Sequence, residues 1–361
     1  MDGQMIMTYH DIVKRTWELE KKLTKPNHYA NVLGMTAIAR YAMYFDDKAL
    51  LADLKEYATP YISGAFDNAG GVFGKRCYCI GGNATAFLYK NGLLDEAEDI
   101  LKRYAEMLHT EQPRDTEGYF CHHRVPQKPG NANGALWIDT CFGVSPFLMW
   151  LGQAFNKPEY IEDAIHQMKG HHRLLFNTES KLYHQAINFN DDPQLTAFWG
   201  RGEGWGVYTL VELLEGLGEE HPDYEFFKQA LIANLEGCLA VQDEDGMFHQ
   251  VLDMPESFVE SSSTCLIIYA MAKAVEMGLV DKETYLAAFT KATNGLKRYI
   301  ALDGSIHHCC VGCLCPNLGR GEDYAAWRYQ VNDTHAFGPI ILAFGQAAIM
   351  EKAGLIPVFE V

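Results

Sequence analysis

The feature that most restricts the fold of this chain is an alternation of short and long connections between predicted helices. Amphipathic periodicity predicts helices near 10–23, 29–45, 47–60, 81–91, 94–109, 139–154, 158–174, 203–217, 223–242, 261–277, 281–299 and 334–351. Short connections lie near 24–28, 92–93, 155–157, 218–222 and 278–280, whereas long ones cover about 61–80, 110–138, 175–202, 243–260 and 300–333. Helical hairpins that are linked by long loops predict that all the long loops leave the same face.

The long loops also resemble one another in sequence. Each has a turn, then an aromatic or aliphatic residue and usually a histidine: GGVFGK from Gly70, EGYFCHH from Glu117, SKLYHQ from Ser180, DGMFHQ from Asp245 and DGSIHH from Asp303. Their spacing is irregular, so the repeat is structural and not a tandem array. An all-α (α/α)6 barrel, a toroid of six helical hairpins, accounts for these features, although an open solenoid could use the same pairs. No linker divides the chain, and we expect a single domain over 1–361.

Composition restricts the partners and the compartment. The 361 residues carry 30 basic and 47 acidic side chains, for a net charge of −17. This charge disfavours nucleic acid and anionic membranes, because long-range repulsion opposes each encounter. No apolar run approaches the roughly 20 residues that span a bilayer, and the N-terminus lacks the apolar region of a signal peptide. Ten cysteines in such a chain indicate reduced thiols. We therefore expect a cytoplasmic protein, and the sequence leaves its oligomeric state open.

The first candidate site residue is Asp139, in the segment GALWIDTCFGVSP that begins at Gly134. It stands at the beginning of an apolar predicted helix, two residues after Trp137. An aspartate there can be an N-cap, since its carboxylate accepts backbone N–H groups. An apolar neighbour such as Trp137 can instead raise the pKa of the carboxyl and keep a proton available near neutral pH. The residues alone leave capping and catalysis both open.

A second candidate cluster is the segment FWGRGEGW, which ends at Trp205. Its three glycines are useful where backbone and ligand approach closely. Arg201 offers a planar fork for a carboxylate, and Trp199 and Trp205 offer flat faces for sugar rings. The alternative is a packing layer made of the arginine and the tryptophans. His184 heads the loop that leads to this cluster, and it shares a predicted face with Asp139 and Arg201.

Taken together, these stretches resemble the unsaturated uronyl hydrolases of glycoside hydrolase families 88 and 105, which include unsaturated glucuronyl and rhamnogalacturonyl hydrolases. The resemblance runs over most of the chain. It is clearest in WIDTCFGVSPFL from Trp137, LYHQ from Leu182, FWGRGEGW from Phe198, ESSSTCLIIYAMAKAV from Glu260 and VNDTHAFGPIILA from Val331. The family fold is an (α/α)6 barrel, which agrees with the helix pattern.

The resemblance also implies roles for individual residues. Asp139 matches the catalytic acid/base of the family, and His184, Arg201 and Trp205 match residues that contact the substrate. The remaining candidate substrate-binding residues are Trp137, Trp199, Asn83, His123 and His335. A small oligosaccharide substrate follows from the resemblance, with no cofactor and no metal.

The reaction that the resemblance implies begins at a 4,5-unsaturated uronic acid. A carboxyl protonates C4 of its vinyl ether, water attacks C5, and the hemiketal opens and expels the rest of the sugar. One carboxyl can donate the proton and then activate the water, and a rhamnogalacturonan-type disaccharide is the expected substrate. Family members commonly carry a second aspartate on the helix after the first long loop, but no acid lies between Asp67 and Asp95 here. Asn83 can replace a hydrogen bond at that place but not a charge.

Three alternatives stay open on the residues. The segment from His307 to Cys315 holds two histidines and four cysteines, and thiolates with imidazole bind zinc. Its spacing is not a recognised zinc pattern, and it can equally be a tight loop with buried thiols. A sugar epimerase would use a histidine pair such as His184 and His249. A toroid that binds carbohydrate without cleaving it is the third alternative.

Overall fold

The structure is a computed structural model that describes residues 7–24, 30–62, 82–111, 114–120, 136–187, 196–314 and 319–358. Within these ranges the α-helices are α1 Tyr9–Leu23, α2 Asn31–Tyr44, α3 Lys48–Ile62, α4 Gly82–Lys90, α5 Glu98–Glu111, α6 Ile138–Ala154, α7 Pro158–Leu175, α8 Gly200–Leu217, α9 Tyr224–Ala240, α10 Ser261–Glu276, α11 Lys282–Leu296, α12 Gly321–Ala325 and α13 Phe337–Lys352. The strands are β1 Leu136–Trp137, β2 Phe176–Asn177, β3 Leu182–Tyr183, β4 Ala186–Ile187, β5 Cys309–Cys310 and β6 Tyr329–Gln330.

Six helices form a closed inner ring. In order around the ring they are α2, α4, α6, α8, α10 and α13; each packs on the next, and α13 packs on α2. Each inner helix also packs mainly on one outer helix, in the pairs α2–α3, α4–α5, α6–α7, α8–α9, α10–α11 and α13–α1. The predicted six-hairpin toroid is confirmed, because an open solenoid would leave the first and last inner helices apart.

The apolar composition of the inner helices explains why they are enclosed. In α6 every residue from Ile138 to Gly152 is buried, and a helix that is apolar on all sides is stable only when other elements surround it. The outer helix α1 is amphipathic and begins with a capping box in which Thr8 and Asp11 exchange hydrogen bonds. The core therefore lies between the two layers and within the ring.

The glycine-rich start of α8 has a packing function. A Cβ on Gly204 would lie 2.6 Å from Cδ1 of Leu266 on α10, and one on Gly200 would lie 2.8 Å from the carbonyl oxygen of His249. The glycines thus allow α8 to approach its neighbours closely. Our expectation that they serve close approach of a ligand is replaced, at these two positions, by close approach of protein to protein.

One predicted helix pairing is wrong. The short connection near 24–28 suggested a hairpin of the first two helices, but α1 packs mainly on α13, and the main outer partner of α2 is α3. The connection that follows α1 leads from the outer layer to the inner ring, as the long loops do. It therefore belongs to the same end of the barrel as the long loops. Because it is short, it resembles a turn within a hairpin.

The predicted helices all have counterparts, with bounds that differ by a few residues. The short helix α12 and the strands were not predicted, because elements this short carry no readable periodicity. The strands pair antiparallel as β1–β4, β2–β3 and β5–β6. Among the helices of the described ranges, none has both the length and the apolar character that a bilayer crossing requires.

Candidate active site

The ends of the inner helices at which the long loops enter carry most of the candidate residues. Asp139 lies in the first turn of α6, and Arg201 lies in the first turn of α8. The β1–β4 pairing places Trp137 opposite Ala186, and the N–H of Ile138 donates to the carbonyl of Gln185 at 2.9 Å. The segment that contains His184 is thereby fixed beside the start of α6.

Asp139 is a buried carboxyl that can hold a proton near neutral pH. Its exposed fraction is 7%, and burial raises its pKa to about 7, although its own backbone N–H, the charge of Arg201 and the side chain of Gln185 act in the opposite direction. The N-cap position of α6 is occupied by Trp137, whose side chain makes no capping hydrogen bond. Asp139 is therefore not the N-cap residue, although its carboxyl accepts from its own backbone N–H in the first turn. A carboxyl with this pKa can serve as a general acid and, once ionised, as a general base.

Arg201 has two buried donors that the described residues leave unpaired. The side chain is 1% exposed, and its Nη1 donates to the carbonyl of Cys310 at 2.8 Å. Nε and Nη2 have no hydrogen-bond partner in the part of the chain that the structure describes. Buried donors without acceptors are costly, and these two form the edge of the guanidinium that binds carboxylates bidentately.

The packing alternative for Arg201 is also present. Its guanidinium carbon lies 4.8 Å from the ring centroid of Trp199. Trp199 is in turn stacked on Tyr324, with centroids 5.5 Å apart and planes inclined at 20°. The two interpretations are compatible, because stacking fixes the plane of the guanidinium while its edge stays available.

The faces of the tryptophans are not available as sugar platforms. Trp199 is covered by its two stacking partners and is 1% exposed. Trp205 is buried and stacks on Phe142, with ring centroids 4.1 Å apart, and Trp137 is buried as well. The expectation that Trp199 offers a flat face to a sugar is wrong for this structure, and Trp205 has its face toward Phe142 occupied. A sequence does not show which rings cover one another when the partners come from distant segments.

His184 has a defined protonation state. Its Nδ1 lies 2.6 Å from the carbonyl oxygen of Thr196; since a carbonyl only accepts, Nδ1 carries the hydrogen. The ring is half-buried and stacks on Phe198 at 4.2 Å, and burial lowers its pKa. His184 is therefore neutral at pH 7, with Nε2 as its unprotonated nitrogen.

His335 forms a buried pair with an aspartate that the sequence analysis did not single out. Its Nδ1 lies 2.5 Å from Oδ1 of Asp333. Burial acts to raise the pKa of Asp333, but the hydrogen bond and charge of His335, together with Arg201, lower it to about 2. Asp333 is thus ionised and orients the imidazole. The sequence NDTH, in which one residue separates the aspartate from the histidine, could have indicated this pair.

Gln185 and Tyr324 were also missed. The hydroxyl of Tyr324 donates to Oε1 of Gln185 at 2.5 Å and accepts from the N–H of Leu314 at 2.9 Å. The amide orientation of Gln185 is thereby fixed, with its NH₂ group directed away from Tyr324. Because the side chain of Gln185 interacts with Asp139, this chain of contacts connects the region of α12 to the candidate acid. The position of Gln185 directly after His184 was the only signal in the sequence.

Other candidates are described only in part. Asn83 lies in the first turn of α4, but its side chain lies outside the described set, and His123 lies outside the described residues altogether. His249 is half-buried, and its Nδ1 donates to the carbonyl of Ser257 at 2.6 Å. No contact joins it to His184 among the interactions of the described ranges, so the structure does not favour the epimerase pair.

The cysteine-rich segment packs against Arg201. Cys309 and Cys310 are buried, and the Sγ of Cys310 accepts from Nε2 of Gln250 at 2.9 Å. Among the residues that the structure describes, no group of three His, Cys, Asp or Glu side chains is arranged to hold a metal ion. Cys315 lies outside those residues. The described part of the segment therefore resembles the packed loop of the alternative interpretation.

Comparison with known proteins identifies relatives along nearly the whole chain. Residues 2–350 match the family model of Glycosyl Hydrolase Family 88. The unsaturated rhamnogalacturonyl hydrolase YesR of Bacillus subtilis is 27% identical over 212 residues, which cover 58% of this chain and 61% of YesR. An unsaturated 3S-rhamnoglycuronyl hydrolase of Alteromonas sp. is 24% identical over 60% of this chain and 52% of its own length. The matched parts thus span less than two thirds of these relatives.

Solved structures share the fold. A possible member of family GH105 from Klebsiella pneumoniae superposes with a TM-score of 0.82 at 19% identity, over 94% of this chain and 92% of that chain. The unsaturated glucuronyl hydrolase of Bacillus sp. GL1, which degrades glycosaminoglycan, superposes with a TM-score of 0.72 at 12% identity, over 98% of both chains. The closed toroid is therefore an architecture that these enzymes have in common.

Proposed function

Since the chain belongs to glycoside hydrolase family 88, we propose that it releases a 4,5-unsaturated uronic acid from a short oligosaccharide by hydrating the C4=C5 double bond. The observation that carries the proposal is Asp139, a buried carboxyl whose pKa is raised to about 7 and which interacts with Arg201. YesR and the Alteromonas enzyme are named for rhamnose-containing substrates. These names support a rhamnogalacturonan-type disaccharide as the substrate.

The first step is proton transfer from Asp139 to C4 of the unsaturated ring. The electron pair of the C4=C5 bond forms the new C4–H bond, and the positive charge that develops at C5 is shared with the ring oxygen. The carboxyl must be protonated in the free site for this step. Burial is the property that keeps it so at neutral pH.

The second step returns the proton to Asp139. Water attacks C5 while the Asp139 carboxylate accepts a proton from it, which gives a hemiketal at C5. The hemiketal opens to a ketone at C5 and a hemiacetal at C1, and the hemiacetal expels the aglycone. One carboxyl is sufficient for this sequence, so the absence of an acid at Asn83 does not remove a required group.

Arg201 is proposed to bind the carboxylate of the unsaturated ring through Nε and Nη2. These donors lie at the buried edge of the guanidinium and lack partners among the described residues. The protein carries a net charge of −17, so an anionic sugar needs a local cation to enter and stay. His184, neutral and held through Nδ1, offers Nε2 to a hydroxyl of the substrate.

The test is Asp139→Asn, assayed on lyase-generated disaccharides by the loss of the ultraviolet absorbance of the enol ether. The amide cannot donate the proton, and general acid catalysis is worth about 10²–10⁴-fold. We expect kcat to fall by at least about 100-fold at an unchanged thermal midpoint. Asp163→Asn is the matched control, because Asp163 is an aspartate of equal exposure, 7%, on the outer helix α7.

The control should keep kcat within about twofold at temperatures where it is folded, although it loses part of its ion pair with Arg114. An Asp139→Asn enzyme that retains more than about a tenth of the wild-type kcat would exclude the proposed acid. The products separate the alternatives. An epimerase would leave the disaccharide intact, and a protein that only binds carbohydrate would leave both its bonds and its absorbance unchanged.

A further inference from the structure

A cavity opens at the end of the barrel opposite Asp139. It has a volume of about 510 Å³ and is lined by side chains from the C-terminal halves of all six inner helices. Trp150 on α6 belongs to this lining, eleven residues after Asp139, which corresponds to about 16 Å along a helix. We call this cavity the second mouth. It is too far from the candidate acid to be part of the same site.

A chain of ion pairs runs across the second mouth. Arg40 contacts Glu212 at 2.5 Å and Glu215 at 3.1 Å. Lys273 contacts Glu215 at 2.6 Å and Glu276 at 2.7 Å. These contacts bring side chains of α2, α8 and α10 together. They fix the positions of the polar groups that surround the cavity.

Several polar groups of the second mouth are left without partners. The hydroxyl of Tyr269 and Nε of Arg40 are buried and have no hydrogen bond to any residue that the structure describes; Tyr269 is 1% exposed. Lys90 lines the same cavity and is exposed to solvent, and no ion pair is formed by its ammonium within the described ranges. Buried polar groups in folded proteins normally have partners. The residues that carry the two buried donors line one cavity together with the exposed ammonium of Lys90, so a molecule that fills it can satisfy the two donors and contact the ammonium.

The charges around the second mouth favour a neutral ligand over an ion. Three cationic and three carboxylate side chains line it, so no net charge attracts either kind of ion. The C-terminal ends of six helices lie here, and their dipoles oppose an anion. Arg40 and Lys273 already neutralise the carboxylates, which opposes a cation. A hydroxyl group suits this environment, because it both accepts from the unpaired donors and donates to carboxylate or carbonyl oxygen.

The apolar part of the lining is also suited to a sugar. Met43 and Tyr44 are exposed at the rim, at 39% and 45%, and Phe87 and Trp150 lie deeper in the lining. A sugar ring presents C–H groups on its faces and hydroxyls at its edge. Cavities of a few hundred Å³ with apolar walls and a few convergent polar groups are typical of small-molecule sites.

We infer that the second mouth binds a neutral saccharide unit, whose hydroxyls accept hydrogen bonds from Tyr269, Arg40 and Lys90. This site is separate from the one proposed for hydrolysis. It holds whether or not the unsaturated uronide is the substrate.

The inference is tested by titrating the whole enzyme with L-rhamnose and D-galactose, followed by saturation-transfer difference NMR. D-glucuronate serves as the anionic probe. The variants are Tyr269→Phe and Lys90→Gln in the second mouth, and Arg201→Ala in the candidate active site. Tyr285→Phe on α11 and Lys102→Gln on α5 are matched controls. Tyr269→Phe should not lower the thermal midpoint, because its hydroxyl has no partner to lose.

We expect saturable binding of at least one neutral sugar. Each second-mouth variant should raise its Kd by at least about threefold, in keeping with the loss of one hydrogen bond, while Arg201→Ala and the two controls leave it unchanged. Binding that is lost in Arg201→Ala but kept in Tyr269→Phe would assign the sugar to the active site and overturn the inference. The inference would also be overturned if glucuronate bound more tightly than the neutral sugars and this binding depended on Lys90. Absence of saturable sugar binding would overturn it as well, since the cavity would then hold only water.

Discussion

Replacement of Arg201 gives the sharpest test of the proposed substrate orientation. In the structure Nη1 is fixed by the carbonyl of Cys310 at 2.8 Å, and Nε and Nη2 lack partners among the described residues. Arg201→Lys keeps the charge but cannot present two parallel donors, whereas Arg201→Ala loses both charge and donors. The two variants therefore separate geometry from charge.

The size of the effect follows from the two unpaired donors. A hydrogen bond to a charged group contributes roughly 1.5–3 kcal/mol, so two such bonds contribute about 3 kcal/mol at the lower limit, or roughly 100-fold in kcat/KM at about 1.4 kcal/mol per tenfold. Arg201→Ala should lower kcat/KM on an unsaturated uronide by about this factor. Arg201→Lys, which retains the charge and one donor, should lower it by roughly tenfold.

The assay compares the acid with its methyl ester, each followed by the ultraviolet absorbance of the enol ether. The ester has no carboxylate charge, so the loss in Arg201→Ala should shrink by at least about tenfold on it. Equal losses on acid and ester, together with a lowered thermal midpoint, would mean that Arg201 only packs against Trp199. That result would refute the proposed orientation of the substrate.

Two further predictions concern stability near α1. Both carboxylate oxygens of Glu20 are buried without a partner in the described ranges, and burial raises its pKa well above the ordinary value. The folded state therefore loses stability as the pH rises from the unfolded pKa of Glu20 toward the folded one. Glu20→Gln should raise the thermal midpoint relative to wild type at pH 7 but not at pH 4, and an equal gain at both pH values would contradict this prediction. A Cβ on Gly34 would overlap the carboxylate of Glu20, so Gly34→Ala should lower the free energy of unfolding by about 1–3 kcal/mol in denaturant unfolding. Gly345→Ala is the control and should not lower it, because its Cβ would have ordinary contacts. Equal effects of the two substitutions would exclude the overlap.

Much of the fold was predictable because the two layers differ in composition. Helices such as α6 and α10 have almost no polar face, and α1 has a pronounced one, so periodicity identifies both the helices and their layer. The closure of the ring rests on contacts between α13 and α2, which are far apart in sequence. It was predicted from the helix count, the alternation of the connections and the loop repeat together. The pairing of α1 with α13 was not predictable from loop length, since 24–28 is as short as the turns at the other end.

The charged candidate residues could be singled out from the sequence, but the contacts that orient the side chains of the site could not. Asp139 and Arg201 stand in unusual local sequences, and both lie at the same end of the ring. The N-cap of α6 is Trp137, two positions before Asp139, and a shift of this size decides whether a carboxyl is the N-cap residue or lies within the first turn. Gln185 and Tyr324 depend on a contact across 139 residues, which no local pattern carries.

The pKa of Asp139 shows which of two opposing effects prevails at the start of α6. A carboxylate in a first helical turn is stabilised by the helix dipole by about 0.3–1 kcal/mol, and up to about 2 kcal/mol when partly buried. Burial nevertheless raises the pKa from 3.8 to about 7, which corresponds to about 4 kcal/mol against the charged form. The charge of Arg201 is among the groups that hold the pKa down. Whatever neutralises Arg201 will therefore raise the pKa of Asp139 further.

Substrate binding should itself raise the pKa of Asp139 and keep the carboxyl protonated to higher pH, because the carboxylate of the unsaturated ring neutralises Arg201. Activity requires protonated Asp139, so it is lost as the pH rises through the pKa of that carboxyl. The alkaline limb of kcat/KM reports the free enzyme and that of kcat the complex. We expect the limb of kcat/KM near pH 7 and that of kcat at higher pH. With the methyl ester the two limbs should coincide, and coincidence on the acid as well would refute the coupling between Arg201 and Asp139.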